Sequence, residues 1–387
     1  MKKDRKKALR TVYAVLMLAV LVLCFSGVAV SAALRGGSSG LWGDARKREE
    51  TVIARLPLKP VLLLPYQAAG RLINSRYNPD TGYLRLADGQ IVSGSDSLAP
   101  SRAPAHVKEL YDVCREEGKD FLYVLCPGKP LSDDDLRLYG ISCYRCEGAD
   151  RLAEDLTARG IPLLDLRPVI REEALRKGDE YALFYKSDHH WTADAGLIAA
   201  RTIAEELNTR YGTGLDAGRI AEERMEREVE ETSFVGEMGQ KWMGILGSVD
   251  HLVIRRPAED IVWHYVSPDR KIDQTGGFDI VFDESVRGAG SRIVTGRNRY
   301  YYYMGGNDQL GYIENPEAEN GSILLIKDSF SCVVTPYLAM TAGRVTWWDM
   351  RRDKEVFSYL RAHPEITTVV VMYMPSFAGN SEMNDFR

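Results

Sequence analysis

Histidine is scarce in this chain, with six among 387 residues, and only His189 and His190 are adjacent. Cysteine is equally scarce. Six are present, and Cys24 falls in an apolar N-terminal run, which leaves Cys114, Cys126, Cys143, Cys146 and Cys332. That odd number excludes a fully paired disulfide scaffold within a monomer. Cys143 and Cys146 make a single C-x-x-C, with no second cysteine pair and no H-x3-H to complete a zinc tetrahedron. They read as a local disulfide or two free thiols. A basic excess is also missing. The net charge is −5, which removes the electrostatic footprint of nucleic-acid binding. Repeats and low-complexity segments are absent as well. The remaining composition, 45% hydrophobic and 27% charged, is that of a globular chain with room for one large domain or two modest ones.

What is present begins with a contrast at the N-terminus. "MKKDRKKALR" carries six basic residues and one acid, and Thr11 to Leu34 then carry no charge. A run of that length spans a hydrocarbon core as a helix, and the basic flank orients it with the N-terminus in the cytoplasm. Residues 1–35 are therefore expected to be a retained membrane anchor. A cleavable signal is the alternative, since Val30-Ser31-Ala32 offers small residues at a cleavage site. In either case the body lies outside the cytoplasm. Residues 36–56 are small, polar and charged, and read as a tether.

From residue 57 to the C-terminus the pattern is α/β. "YLRLADGQIVSG" (Tyr83 to Gly94) alternates around Asp88-Gly89 and predicts a hairpin. "FLYVLCP", "IPLLDL", "SILLIKD", "RVTWWD" and "TTVVVMYM" are short apolar runs expected to be buried strands. Helical spacing intervenes at His106 to Glu117, Asp150 to Arg159, Val169 to Arg176, Ala193 to Tyr211 (with Thr192 as N-cap) and Lys354 to His363. Such alternation implies a parallel sheet covered by helices on both faces. Residues 212–320 differ. "HLVIRR", "DIVWHYV", "FDIVF" and "RYYYYM" suggest a β-rich insertion or lid. The Tyr300 to Tyr303 run suits core packing better than sugar stacking, because alternating strand faces would bury two of the four. At least one of Trp347 and Trp348 should face the core by the same logic.

Two segments carry chemistry. "YKSDHHWTADAG" (Tyr185 to Gly196) brings an aspartate, two histidines and a tryptophan together. "ILLIKDSF" ends a strand in Lys327-Asp328-Ser329-Phe330 and leads into an expected helix, "SFSCVVTPYLAMTAG", which Pro336 should kink or shorten. Sites in open α/β sheets lie beyond the carboxyl ends of strands. A serine there has an exposed hydroxyl beside unpaired backbone N–H groups and a positive helix end. It needs a base to become a nucleophile. The histidine pair supplies one, with Asp188 to hold the imidazole. The plainer reading is that Ser329 is an N-cap and that the histidines are buried structural groups.

These segments resemble known families. "YKSDHHWTADAG" is similar to the signature of the bacterial DHHW protein family. It also resembles the D-x-H-W-[ST] segment of the alginate O-acetylation proteins, which are SGNH-hydrolase-like with permuted blocks. "IKDSF" resembles the block carrying the SGNH nucleophile, and "YMGGND" (Tyr303 to Asp308) the G-x-N-D block. The resemblance implies an SGNH- or flavodoxin-like fold over residues 57–387. It makes Ser329 the nucleophile, His190 the base (it directly precedes Trp191), Asp188 its partner and Asn307 an oxyanion donor beside the Ser329 amide. Two departures stand out. Lys327 replaces the glycine of G-D-S, and the G-x-N-D-like block precedes the serine. The activity implied is serine-dependent acyl-ester transfer or hydrolysis on a cell-envelope polysaccharide, with no cofactor or metal and with a membrane-bound O-acyltransferase as acyl donor. The alternatives are a non-catalytic envelope protein that binds glycans or partners, and a metal-dependent hydrolase. The latter follows from the Asp-His-His that also opens the DHH phosphoesterase signature.

Overall fold

The computed structural model describes residues 76–387 except 79–80, 95–100, 132–135, 137–144, 243–247, 288–292, 295–297 and 353. The expected anchor, the tether and Cys143 lie outside the described residues. Within them, no helix is long and apolar enough to cross a membrane.

An N-terminal meander comes first: β1 (Tyr77–Asn78), β2 (Tyr83–Arg85) and β3 (Ile91–Ser93). The predicted hairpin is its β2–β3 pair, turning at Gly89, whose φ of 92° suits glycine. The α/β body follows in the order α1 (Ala103–Glu116), β4 (Asp120–Leu125), α2 (Arg145–Ala158), β5 (Leu163–Asp165), α3 (Leu166–Arg176) and α4 (Ala193–Tyr211). It resumes with β12 (Ser322–Lys327), α6 (Thr335–Thr341), β13 (Arg344–Asp349), α7 (Val356–Ala362) and β14 (Thr368–Tyr373). Strands β5-β4-β14-β12-β13 run parallel in that spatial order.

The parallel strands are buried on both faces, as their continuous apolar runs require. On β12, Ile323 and Leu325 join one core cluster, and Leu324 and Ile326 the other. α4 and α6 cover the first face, and α1, α2 and α7 the second. Trp347 and Trp348 are both buried, one in each cluster. Each large side chain removed from water in this way contributes about 1.5–3 kcal/mol.

The segment expected to be an insertion or lid is β-rich but divided. Between β5 and β12 the chain forms β6 (Met225–Phe234), α5 (Glu237–Trp242), β7 (Asp250–Pro257), β8 (Trp263–Ser267), β9 (Ile272–Gly276), β10 (Ile293–Val294) and β11 (Leu310–Glu314). β11, β8 and β9 extend the central sheet antiparallel beyond β13, so this part is not a lid. β10, β6 and β7 form a separate small sheet. Two expected strands are instead 3-10 turns, Phe278–Val281 and Arg299–Tyr302. Aromatic residues suit a half-buried pleat only where a partner strand exists. Here Asn298 starts a turn by accepting from the Tyr300 amide at 3.0 Å, and Tyr300, Tyr302 and Tyr303 are all buried.

Candidate active site

The central parallel strand β12 delivers Asp328 and Ser329 beyond its carboxyl end. The expected α-helix is replaced there by a 3-10 turn, Ser329–Val333, which precedes the short α6. Pro336 lies in the first turn of α6, where a missing N–H costs nothing, so it marks a start rather than a kink. Asp328, not Ser329, caps the turn: its carboxylate accepts from the Phe330 amide at 2.8 Å and from the Met374 amide at 2.7 Å. Burial pushes the Asp328 carboxyl up to about 6 against those two bonds. Ser329 is thus free of a capping role. The short 3-10 turn also leaves little macrodipole to draw on, so charge stabilisation at Ser329 must come from nearby N–H groups.

The histidine segment is a loop closed by an antiparallel bridge between Phe184 and Trp191. Thr192 occupies the N-cap position of α4, yet its hydroxyl makes no capping bond. Trp191 is buried and its indole N–H donates to the Phe330 carbonyl at 2.9 Å. Tyr300 adds a bifurcated donation to the carbonyls of Ser329 (2.8 Å) and Phe330 (3.0 Å). The tryptophan of "DHHW" therefore ties the histidine loop to the serine turn. α4 packs as closely: a Cβ on Gly196 would stand 2.3 Å from the Val333 carbonyl oxygen, so only glycine fits.

The structure brings three of the four expected site residues together. His190 Nε2 lies 2.8 Å from Ser329 Oγ, and His190 Nδ1 lies 2.6 Å from Asp188 Oδ1. The other Asp188 oxygen accepts from the Glu237 amide (2.9 Å) and from Asn298 Nδ2 (2.5 Å), and Oδ1 also takes the His190 amide (3.0 Å). Burial pushes the Asp188 carboxyl up, but His190, His189 and these bonds outweigh it and hold the group well below the usual carboxylate range. An ionised Asp188 only accepts, so His190 carries its proton on Nδ1 and Nε2 accepts from the serine hydroxyl. The His190 ring is sandwiched between Tyr300 (centroids 3.8 Å apart, 8° between planes) and His189 (3.8 Å, 36°).

His189 reaches neither Ser329 nor the inner Asp188 bond. Its Nδ1 is 3.4 Å from Asp188 Oδ1 and 3.9 Å from Glu237 Oε2. Burial and the neighbouring His190 lower it to about 4. Asn307 departs from its expected role. Its amide nitrogen donates to the Tyr301 hydroxyl at 3.2 Å, its oxygen accepts from Lys327 at 3.4 Å, and it does not line the serine cavity. Lys327, standing where the resemblance expects glycine, is buried and serves this contact.

Ser329 opens into a cavity of about 300 Å³ lined also by His189, Glu237, Tyr301, Arg351 and Met374. Asp188, His189 and His190 are close enough together to suggest a metal site. The donor set does not fit one: both His190 nitrogens are engaged and Asp188 already accepts four hydrogen bonds. Residues that sequence reasoning missed (Asn298, Tyr300 and the Glu237 amide) come from the β-rich segment and had no local signal. Gly236, beside Glu237, admits Asp188 because a Cβ there would stand 2.5 Å from the Asp188 Cβ.

The family described as SGNH hydrolase-like domain, acetyltransferase AlgX, matches residues 91–248. Residues 91–248 are thus similar to an SGNH hydrolase-like domain. The match covers Asp188 and His190, while Ser329 lies beyond it. Two solved structures share the fold of this chain. Bacillus cereus PatB1, in a structure with a sulfonyl adduct, is 16% identical with a TM-score of 0.60, over 79% of this chain and 97% of that one. A DHHW family protein from Eubacterium siraeum is 16% identical with a TM-score of 0.56, over 79% and 95%. The second belongs to the family that the "DHHW" segment resembles. Among curated proteins, none matches the chain.

Proposed function

We propose that this protein is a serine-dependent acyl-ester transferase or esterase whose reaction passes through an acyl-Ser329 intermediate. The observation that carries the reading is the continuous relay from Asp188 through His190 to Ser329, at 2.6 and 2.8 Å. Ser329 Oγ attacks the ester carbonyl carbon while His190 Nε2 takes its proton. The ionised Asp188 stabilises the imidazolium and keeps its tautomer. As the tetrahedral intermediate collapses, the alkoxide leaves with the proton from His190 and the acyl group stays on Ser329. An acceptor hydroxyl, deprotonated by the same imidazole, then attacks the acyl carbon; the bond to Ser329 Oγ breaks and the serine regains its proton from His190. The Ser329 amide is the proposed oxyanion donor. Asn307 is not proposed, since its amide is committed to Tyr301.

The acceptor proposed is a hydroxyl of a cell-envelope polysaccharide, and the acyl group acetyl. The match to a domain described as acetyltransferase supports this reading. The charge-free run Thr11 to Leu34 supports membrane attachment with the body outside the cytoplasm. The test is incubation of the protein with a chromogenic acetyl ester, with and without a glycan acceptor, alongside labelling by a sulfonyl fluoride. In that labelling Ser329 Oγ bonds to sulfur, fluoride leaves and His190 takes the proton. Wild type should release the chromophore and label, and Ser329→Ala should do neither. Equal inertness of both proteins toward ester and probe would overturn the proposal.

A further inference from the structure

Lys129 follows β4 in "LCPGKP", buried to 1% exposure. Burying an ammonium is costly unless it is well paired. Its Nζ donates to three backbone carbonyls of one short loop: Tyr185 at 2.7 Å, Lys186 at 3.3 Å and Asp188 at 2.9 Å. Three carbonyls converge on this point because the chain curls around the ammonium on its way to His190.

We infer that Lys129 is a positioning residue: its ammonium gathers the carbonyls of Tyr185, Lys186 and Asp188 and so sets Asp188 and His190 in register with Ser329. The inference rests on the proposed catalytic set. The loop has no regular secondary structure beyond the Phe184–Trp191 bridge, and hydrogen bonds from other elements hold it. Asp250 on β7 accepts from the Lys186 amide (2.6 Å), the Ser187 amide (2.8 Å) and the Ser187 hydroxyl (2.5 Å), gripping the N–H side. Lys129 grips the carbonyls of Tyr185, Lys186 and Asp188, in and around the same residues, and ties them to the segment that follows a parallel strand. An aliphatic residue of the same length would fill the space and take this donor from the Tyr185 and Asp188 carbonyls, while the Lys186 carbonyl would keep the Ile91 amide at 2.9 Å. The ionisable groups facing the ammonium are Asp250, Asp188, Asp88 and His189. Burial lowers the lysine to about 8 against those three carboxylates. Above that pH a neutral amine has two N–H groups and a lone pair, and cannot serve three acceptors.

The test uses the full-length protein and two readouts. The first is the downfield proton NMR signal of the Asp188–His190 hydrogen bond, which needs no substrate. The second is the rate of labelling by a sulfonyl fluoride across pH. In Lys129→Met and Lys129→Gln the NMR signal should be lost and labelling slowed by about ten- to a hundred-fold, the scale expected for a misplaced catalytic group. Near-UV circular dichroism should remain native. Ser329→Ala should keep the NMR signal, which separates the two hypotheses. If wild type never labels, the serine chemistry is wrong, while the NMR comparison still reads Lys129. A folded variant with wild-type signal and labelling overturns the inference. Should both variants unfold, wild type decides alone: a labelling rate that declines above about pH 8 supports it, and a flat rate overturns it.

Discussion

Ser329 stands on a turn whose neighbours are mostly apolar, whereas His190 stands on a loop whose neighbours are mostly polar. Phe330, Cys332, Val333 and Val334 around the serine are all buried, and the turn hangs from the central strand of the sheet. Around the histidine, beside the buried rings of Trp191 and Tyr300, the loop is held by the buried polar groups Ser187, Asp188, Lys129 and Asp250. Apolar packing is non-directional and fixes where a segment lies. Hydrogen bonds are directional and fix which way a side chain points, at the cost that each lost partner leaves a buried polar group unpaired. A nucleophile needs a place, and a base needs an orientation. Mutations in the serine turn should therefore separate activity from stability, and mutations in the histidine loop should couple them.

The largest expected separation is Ser329→Ala. Esterase activity should fall by roughly 10³-fold or more, since nucleophile and base act as one unit. Stability should change by only about 1 kcal/mol, the worth of one hydrogen bond, because Asp328 rather than Ser329 caps the turn. Denaturant unfolding beside the ester assay checks both halves.

His190→Ala should match that loss of activity but also destabilise by about 3 kcal/mol, as removal of a buried ring does. The ring is held between Tyr300 and His189. A stability equal to that of Ser329→Ala would break the comparison.

Asp188→Asn should couple the two effects most visibly. Activity should drop by roughly 10²–10⁴-fold through the wrong tautomer, and stability by about 2–4 kcal/mol because an amide turns N–H groups toward donors. The sign of the pH dependence follows from the depressed carboxyl. Its contribution is complete above the unfolded value of about 3.9 and is lost as pH falls. The stability gap between wild type and Asp188→Asn should therefore narrow below about pH 4, measurable by thermal unfolding across pH.

Ser187→Ala tests the loop away from the chemistry. It removes the hydroxyl that donates to Asp250 and accepts from the Gly236 amide at 2.7 Å. A loss of about 1–2 kcal/mol is expected, with roughly tenfold lower kcat/KM. His189→Ala should be the mildest. Its imidazole, lowered to about 4, is uncharged at neutral pH. The acid limb of kcat/KM against pH should stay where it is in wild type.

Much of the fold was legible because its signals are local. The apolar runs that became β4, β12, β13 and β14 need burial on both faces wherever they lie, and α4 spans the predicted residues 193–211. The aromatic runs misled for the converse reason. "RYYYYM" has the composition of a strand, yet Asn298 turns it into a 3-10 helix with Tyr300 against His190. Asn307 misled because a short motif was read without its neighbours, and Tyr301 and Lys327 take up its amide.

The sequence by itself determined the parallel α/β layering and the presence of a serine after an apolar strand and a histidine pair before a helix. Those features follow from burial, backbone propensity and residue type within a few positions. Tertiary structure alone decided what brings His190 onto the serine and what holds the aspartate. The partners involved are far apart along the chain: 139 residues between His190 and Ser329, 110 between Asn298 and Asp188, and 49 between Glu237 and Asp188. No local preference encodes such pairings. They form because a buried carboxylate and a buried imidazole must find partners once the apolar core has excluded water.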